Sequence, residues 1–164
     1  MAGACTTTPS DAMSDPAPRV LYVAEPSPRF GVPKPVVVDA SLIVALIFAE
    51  PEHIDAARML AGRRPLAPDL LPYEVTNVAA TRVRRGDALQ VLQDCLADFH
   101  AMGIELMPSD MPLVLDLAAR FKLTAYDASY LALAGTLQCP LCTFDKRLAD
   151  AAKLYLGGSA EPTP

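Results

Sequence analysis

Acidic residues recur where a short apolar run gives way to a helical segment. Aspartates hold this position in "VVVDASLIVALIF" (Asp39), "TAYDASYLALA" (Asp127) and "LCTFDKRLADAA" (Asp145). An aspartate at a helix N-cap accepts an unpaired backbone N–H, so each of them would open its helix. Glu74, in "LLPYEVTNVAATRV", falls in the first turn of another predicted helix. A capping role could explain the position of each acid by itself. Four unrelated helix caps therefore remain an alternative to one shared functional site.

A shared site would need a cation. Two carboxylates about 5 Å apart repel by roughly 3 kcal/mol at an effective dielectric constant near 20. Oxygen ligands without a neighbouring His or Cys favour a hard ion, which is Mg²⁺ or Mn²⁺. Such an ion polarises a phosphoryl oxygen, activates a water molecule and screens an anionic substrate. Four clustered acids therefore favour metal-dependent phosphodiester cleavage.

The elements that must position these acids alternate between short strands and helices. We predict strands over 36–39, 104–107 and 141–144, with a brief extended piece in "RRPLAPDL". Helices are expected over 41–49, 52–61, 71–85, 88–102, 111–121, 127–137 and 146–155, with Gly86 and Gly103 ending two of them. In the second helix, Ile54, Ala57 and Leu60 share the apolar face. The pattern is typical of an α/β protein with a mostly parallel sheet covered on both faces.

In such sheets, functional sites lie beyond the carboxyl ends of the strands, where the helices begin. Asp39 and Asp145 follow predicted strands directly, whereas Asp127 and Glu74 lie at the starts of helices. We therefore expect all four acids to face one crevice.

Composition limits the size and the surface of the molecule. The chain has 164 residues, 52% of them hydrophobic, which suits one domain with a sizeable core. No apolar run reaches the roughly 18–20 residues that span a bilayer, so we expect a cytoplasmic protein without a membrane partner. The net charge is -5, so a nucleic acid would need a local basic patch.

Proline separates a terminal segment from the regular pattern. Residues 1–33 contain Pro9, Pro16, Pro18, Pro26, Pro28 and Pro33 with little periodicity, which predicts an N-terminal tail or arm. Residues 34–158 form the predicted domain, and residues 159–164 form a short C-terminal tail.

Two basic clusters are candidates for contact with a polyanion. Arg82, Arg84 and Arg85 occur in "TRVRRG", and Lys146 with Arg147 follows Asp145. A further pair is Arg63 and Arg64 in "GRRP". For any one cluster, a solvated helix end or loop is the favoured alternative.

Cys139 and Cys142 form a C-x-x-C pair in "CPLC". Such a pair is found in redox couples and in half of a zinc site. A redox motif needs a helix opening at its first cysteine, whereas "PLCTF" is typical of a buried strand. We therefore expect reduced thiols packed in the core, with a redox couple as the alternative.

The segments "VVVDAS", "LLPYEVTNV", "AYDASYLALA" and "LCTFDKRLADAA" resemble, in this order and spacing, the four motifs of PIN-domain nucleases. The resemblance is strongest to the VapC-type toxins of bacterial toxin–antitoxin pairs. It implies a Rossmann-like three-layer α/β/α sandwich, the PIN-domain fold. It also implies an Mg²⁺- or Mn²⁺-dependent endoribonuclease that cleaves single-stranded or loop RNA, commonly a homodimer, whose cognate antitoxin blocks the site.

Carried over to this chain, the resemblance implies catalytic, metal-binding carboxylates at Asp39, Glu74, Asp127 and Asp145. It implies supporting polar groups at Ser41, Asn77 and Thr143. Three other functions remain alternatives: a PIN-fold module that binds RNA or protein without cleavage, a redox protein using the cysteine pair, and phosphotransfer on Asp39. The last lacks the second aspartate of a D-x-D pattern, because the sequence is "DAS".

Overall fold

The computed structural model describes residues 33–157, which form a four-stranded parallel sheet within an α/β/α sandwich. This confirms the fold class expected from the sequence. The order across the sheet is β3-β2-β1-β4. The strands are β1 (Lys34–Val38), β2 (Arg63–Pro68), β3 (Glu105–Met107) and β4 (Leu141–Cys142).

Seven helices among the described residues cover the sheet. Helices α1 to α4 pack against one another, and α5 to α7 form a second group in which α6 contacts β1, β2 and β4. None of the helices in this part of the chain is long and apolar enough to cross a bilayer. The helices are α1 (Ala40–Ile47), α2 (His53–Leu60), α3 (Leu71–Arg84), α4 (Leu89–Ala101), α5 (Met111–Phe121), α6 (Ala125–Leu137) and α7 (Lys146–Leu156).

Strand β1 is central, and its register determines which residues meet at the carboxyl edge of the sheet. Val36, Val37 and Val38 are fully buried, as expected for β-branched residues of a strand covered on both faces. Val38 pairs with Cys142 of β4. Because the two strands are parallel, the residues that follow this pair, Asp39 and Thr143, emerge side by side.

Helix α2 presents a different face to the core from the one predicted. Ile54, expected on the buried face, is 52% exposed, whereas Ala56 is fully buried. The helix has only eight residues. So short an amphipathic pattern does not define its rotation, and the small Ala56 side chain lets α2 approach α1 closely.

Asp127 does not open its helix, contrary to the prediction. Helix α6 begins two residues earlier, and its N-cap is Thr124, whose hydroxyl accepts the backbone N–H of Asp127 at 3.1 Å. The same hydroxyl donates to a carboxylate oxygen of Asp127 at 2.8 Å. Asp127 therefore occupies the first turn, and its carboxylate is free of a capping role.

Replacing the cap should test this arrangement. We expect Thr124→Ala to lower the free energy of unfolding by about 1 kcal/mol, because the first turn loses its side-chain acceptor. Thr124→Ser keeps the hydroxyl and should stay near wild type. Chemical denaturation of the three proteins measures the difference, and equal stability of all three would contradict the capping role.

The two predicted tails fall outside the described residues, apart from Pro33. Nothing in the structure tests the boundaries at 33–34 and 158–159, which stay predictions. The predicted helix ends at Gly86 and Gly103 are confirmed, since both glycines have positive φ angles, 108° and 64°, just after α3 and α4.

Candidate active site

Asp39 lies at the centre of a hydrogen-bonded network at the carboxyl edge of the sheet. The Ser41 hydroxyl donates to both of its carboxylate oxygens, at 2.7 and 3.0 Å. The Thr143 hydroxyl, brought beside it by the β1–β4 register, donates at 2.8 Å. The backbone N–H of Leu42 completes the set at 3.2 Å, so Asp39 also caps α1 as predicted. These donors hold the carboxylate in one orientation.

Asp145 is joined to the same network through Thr143. Its backbone N–H donates to the Thr143 hydroxyl at 2.8 Å, and its carboxylate caps α7 by accepting the N–H of Leu148 at 2.8 Å. The predicted capping role is confirmed. Thr143 thus connects the first and the last of the four acids.

Burial makes the charge of Asp39 costly. The residue is 5% exposed, and this desolvation raises its pKa above the ordinary aspartate value. Hydrogen bonds from Ser41, Thr143 and Leu42 oppose the shift, while the neighbouring charge of Asp145 adds to it. Because hydrogen bonding does not cancel the cost, a positive charge at this place would stabilise the ionised form.

Glu74 and Tyr130 form a second pair. The phenol of Tyr130, in α6, donates a hydrogen bond to the carboxylate of Glu74, in the first turn of α3. Desolvation raises the pKa of Glu74, the phenol opposes this, and the negative charges of Asp127 and Asp39 raise the pKa further. Burial, together with its bond to Glu74, raises the pKa of Tyr130. Tyr130 is therefore neutral and acts as a donor.

The four acids are close enough for their charges to affect one another, but their side chains do not form a complete metal-binding site. Within residues 33–157, no group of three or more His, Cys, Asp or Glu side chains is placed to hold a metal ion as the side chains stand. Mg²⁺ commonly keeps several waters and uses only one or two carboxylates. The donor set fits such an ion, since it is made of oxygens and two of its members carry raised pKa values through burial and mutual repulsion.

Asn77, the third predicted support, is not part of either hydrogen-bonded network. Its side chain is exposed and lines an open groove of about 570 Å³ beside α3. Thr81, Arg82 and Arg85 continue the lining along the same helix. The groove begins one helical turn beyond Glu74.

The predicted basic residues differ in how far they are engaged. Arg82 pairs with Asp87 at 2.9 Å and Glu50 at 3.5 Å, and it stacks on Phe48 at 4.7 Å. These contacts tie α3 to its neighbours. Arg84 donates to the Thr81 hydroxyl and Arg147 to the backbone oxygen of Lys122. Among the described residues the structure gives Arg85 and Lys146 no side-chain ion pair.

The cysteine pair packs against the hydrophobic core. Cys139 is buried, Cys142 is half-buried, and both thiols are free. Desolvation raises the pKa of both, which disfavours the reactive thiolate. The thiols pack in the core, as the sequence predicted.

Two site residues escaped the sequence-based prediction. Tyr130 holds Glu74, and Thr124 contacts the carboxylate of Asp127. Both lie three residues from Asp127 along the chain, one before and one after. Helical spacing places residues three apart on neighbouring positions of one face, so the segment "TAYDASY" carried the signal.

Known proteins resemble this chain in sequence and in fold. Residues 36–154 match the PIN domain family. Ribonuclease VapC3 of Pyrobaculum aerophilum is 33% identical over 70% of this chain and 92% of its own length. Ribonuclease VapC9 of Mycobacterium tuberculosis is 30% identical over 72% of this chain and 91% of its own length. The crystal structure of PAE2754 from Pyrobaculum aerophilum superposes with a TM-score of 0.61, at 22% identity, over 76% of this chain and 94% of that one.

Proposed function

The chain belongs to the PIN-domain family, and from that membership we propose that it is a divalent-metal-dependent endoribonuclease that cleaves single-stranded or loop RNA. The observation that carries the proposal is the buried Asp39 carboxylate with its raised pKa, held by Ser41 and Thr143 at the carboxyl edge of the sheet. The names of relatives at 30–33% identity support ribonuclease chemistry.

Asp39, Glu74, Asp127 and Asp145 would hold Mg²⁺ or Mn²⁺. A bound divalent cation supplies an activated water molecule and stabilises charge on the phosphoryl group. The surrounding residues orient the acids: Ser41 and Thr143 fix Asp39, while the Tyr130 phenol fixes Glu74. Burial of Asp39 and partial burial of Glu74 lower the local dielectric constant around these carboxylates and strengthen their attraction for a cation.

The biological role that we propose is that of the toxin in a VapBC-type pair. The relatives named VapC support it, and it implies a cognate antitoxin as a protein partner. A homodimer and a cytoplasmic location complete the proposal. A small DNA-binding protein encoded immediately upstream would support the assignment.

Adding metal should stabilise the full chain and switch on cleavage. We expect Mg²⁺ or Mn²⁺ at about a hundredfold excess over its Kd to raise the melting temperature by about 5–10 °C, because the ion binds the native state. The same ions should support cleavage of single-stranded RNA that EDTA abolishes. Thermal melts and a gel-based cleavage assay measure the two effects.

The double variant Asp39→Asn with Asp127→Asn provides the control. It removes two charges while keeping side chains of the same shape, so it should lose both the thermal shift and the cleavage. A full thermal shift in this variant would place the ion elsewhere. If the wild type binds RNA but does not cut it in Mg²⁺ or Mn²⁺, the chain is instead a PIN-fold binding module.

A further inference from the structure

Among the described residues, every exposed Phe or Tyr side chain comes immediately before one of the four acids in the sequence. Most Phe and Tyr residues between 33 and 157 are buried or half-buried, but three are exposed, with exposed fractions of 78%, 62% and 36%. Each one directly precedes a proposed metal-binding acid. The three pairs are Tyr73 with Glu74, Tyr126 with Asp127, and Phe144 with Asp145.

Exposed aromatic rings next to acids in the sequence indicate a surface that binds a ligand. Aromatic side chains carry large apolar surfaces that a folded chain normally buries, and Phe48, Phe99 and Tyr130 follow that rule here. Each of the three exposed rings immediately precedes, in the sequence, an acid of the candidate active site. Their position favours a function in binding at that site.

Two of these residues lie at the helix starts that also carry acids of the candidate site. Tyr73 and Tyr126 lie in the first turns of α3 and α6. Since every Cα–Cβ bond of a helix tilts toward its N-terminus, first-turn side chains extend beyond the helix end. The Tyr130–Glu74 hydrogen bond joins α6 to the first turn of α3, so the two helix starts are close together.

Phe144 is held at the site by its backbone. Its N–H donates to the Ser41 hydroxyl at 2.9 Å, and that hydroxyl in turn donates to Asp39. The ring therefore belongs to a segment fixed within the Asp39 network. The Phe144 side chain is itself partly exposed to solvent.

Charge alone provides a limited means of holding RNA on this chain. The chain has a net charge of -5, and the arginines Arg82, Arg84 and Arg147 are engaged by protein groups. Proteins that bind single strands combine cationic contacts to the backbone with aromatic rings on which bases stack. Arg85 and Lys146, which have no ion pair among the described residues, are available for contacts to the RNA backbone, so exposed rings would supply the stacking contribution.

We propose that Tyr73, Tyr126 and Phe144 are stacking platforms for unpaired RNA bases on either side of the cleaved phosphodiester bond. The inference rests on the proposed ribonuclease function and names the groups that bind its substrate. Stacking requires bases that are not already stacked in a duplex, so these rings select single-stranded and loop RNA. Selection would then depend on how accessible the bases are.

The test measures binding of a short oligoadenylate to the full chain in Ca²⁺, an ion that accepts oxygen ligands. A gel run after each titration verifies that the RNA is intact. We expect Tyr73→Ala and Tyr126→Ala each to raise the Kd by about 5- to 150-fold, the range for losing one stacked base. Because the chain contains no tryptophan, its tyrosine emission reports the stacking directly, and RNA should quench it.

Three controls make the result specific. Tyr73→Phe and Tyr126→Phe keep the rings and should bind like wild type. Leu115→Ala removes a comparably exposed apolar side chain, 72% exposed, from α5, and should leave the Kd unchanged. An oligomer of the same length and charge without bases should bind wild type far more weakly than oligoadenylate does.

The outcomes separate this inference from the proposed function. Equal affinity for the oligomer with and without bases, or an unchanged Kd in both alanine variants, overturns the stacking role while RNA cleavage by the wild type still supports the ribonuclease. Rings that serve a protein partner would give that same unchanged Kd. A wild type that neither binds nor cuts RNA overturns both.

Discussion

Asp39→Asn is expected to lower metal-dependent RNA cleavage by at least about 100-fold while the fold is retained. Changing a residue that merely supports a metal ligand commonly costs 10- to 100-fold, and Asp39 is proposed as a ligand itself. The carboxamide oxygen can still accept from Ser41 and Leu42, and the Thr143 hydroxyl can accept from the new amide. Initial rates on an RNA that the wild type cuts measure the effect.

The metal-free stability of Asp39→Asn should be at or above that of wild type at neutral pH. Burial raises the pKa of Asp39, so the native state gains stability below the unfolded pKa of about 3.9 and loses it as pH rises through the raised native value. Asparagine carries no charge and escapes this loss. Denaturation in EDTA at pH 7 provides the comparison.

Asp110→Asn is the matched control. Asp110 is also an N-cap aspartate, and its carboxylate accepts the N–H of Leu113 at 3.2 Å at the start of α5, in an exposed position. The same chemical change there should leave cleavage unchanged. Equal cleavage rates for Asp39→Asn and wild type would mean that Asp39 is not catalytic and serves only as the N-cap of α1.

Leu131→Ala is expected to lower the free energy of unfolding by about 2–5 kcal/mol. Leu131 is fully buried in α6, within an unbroken buried run over residues 128–134. That helix packs against α5, α7 and the sheet, so the cavity cannot be closed by movement of one neighbour. With a total stability of about 5–15 kcal/mol typical of a domain, the loss is a large fraction.

Thr136→Ala, on an exposed position of the same helix, should change stability by no more than about 0.5 kcal/mol. Denaturant titrations of both variants measure the difference. A loss below about 1 kcal/mol in Leu131→Ala would mean that α6 is not the tightly packed core helix seen here.

The buried run in α6 also explains the stretch "TAYDASYLALA". Over residues 128–134 its helix has no exposed face, because α5, α7 and the sheet pack against it. The sequence predicted an apolar helix here and placed its end correctly at Leu137. The sequence-based prediction placed the start of α6 two residues too late. Aspartate and threonine are both favoured at an N-cap, and only the folded chain shows which of them occupies it.

The sequence by itself determined the type and order of most elements. β-branched runs predicted the buried strand β1, glycines predicted the ends of α3 and α4, and the predicted helix over 111–121 matches α5. Asp39 and Asp145 were predicted as helix caps for the same reason. These features follow from interactions between residues a few positions apart, which a linear pattern records.

Only the tertiary structure decided which distant residues meet. The Thr143–Asp39 bond spans 104 residues of sequence and depends on the β1–β4 register, while the Tyr130–Glu74 bond spans 56 and depends on where the fold places α6 relative to the start of α3. The rotation of α2 and the engagement of Arg82 were likewise set by packing. Local propensity does not encode such contacts, because they are selected by burial of the whole core and by the strand register that accompanies it.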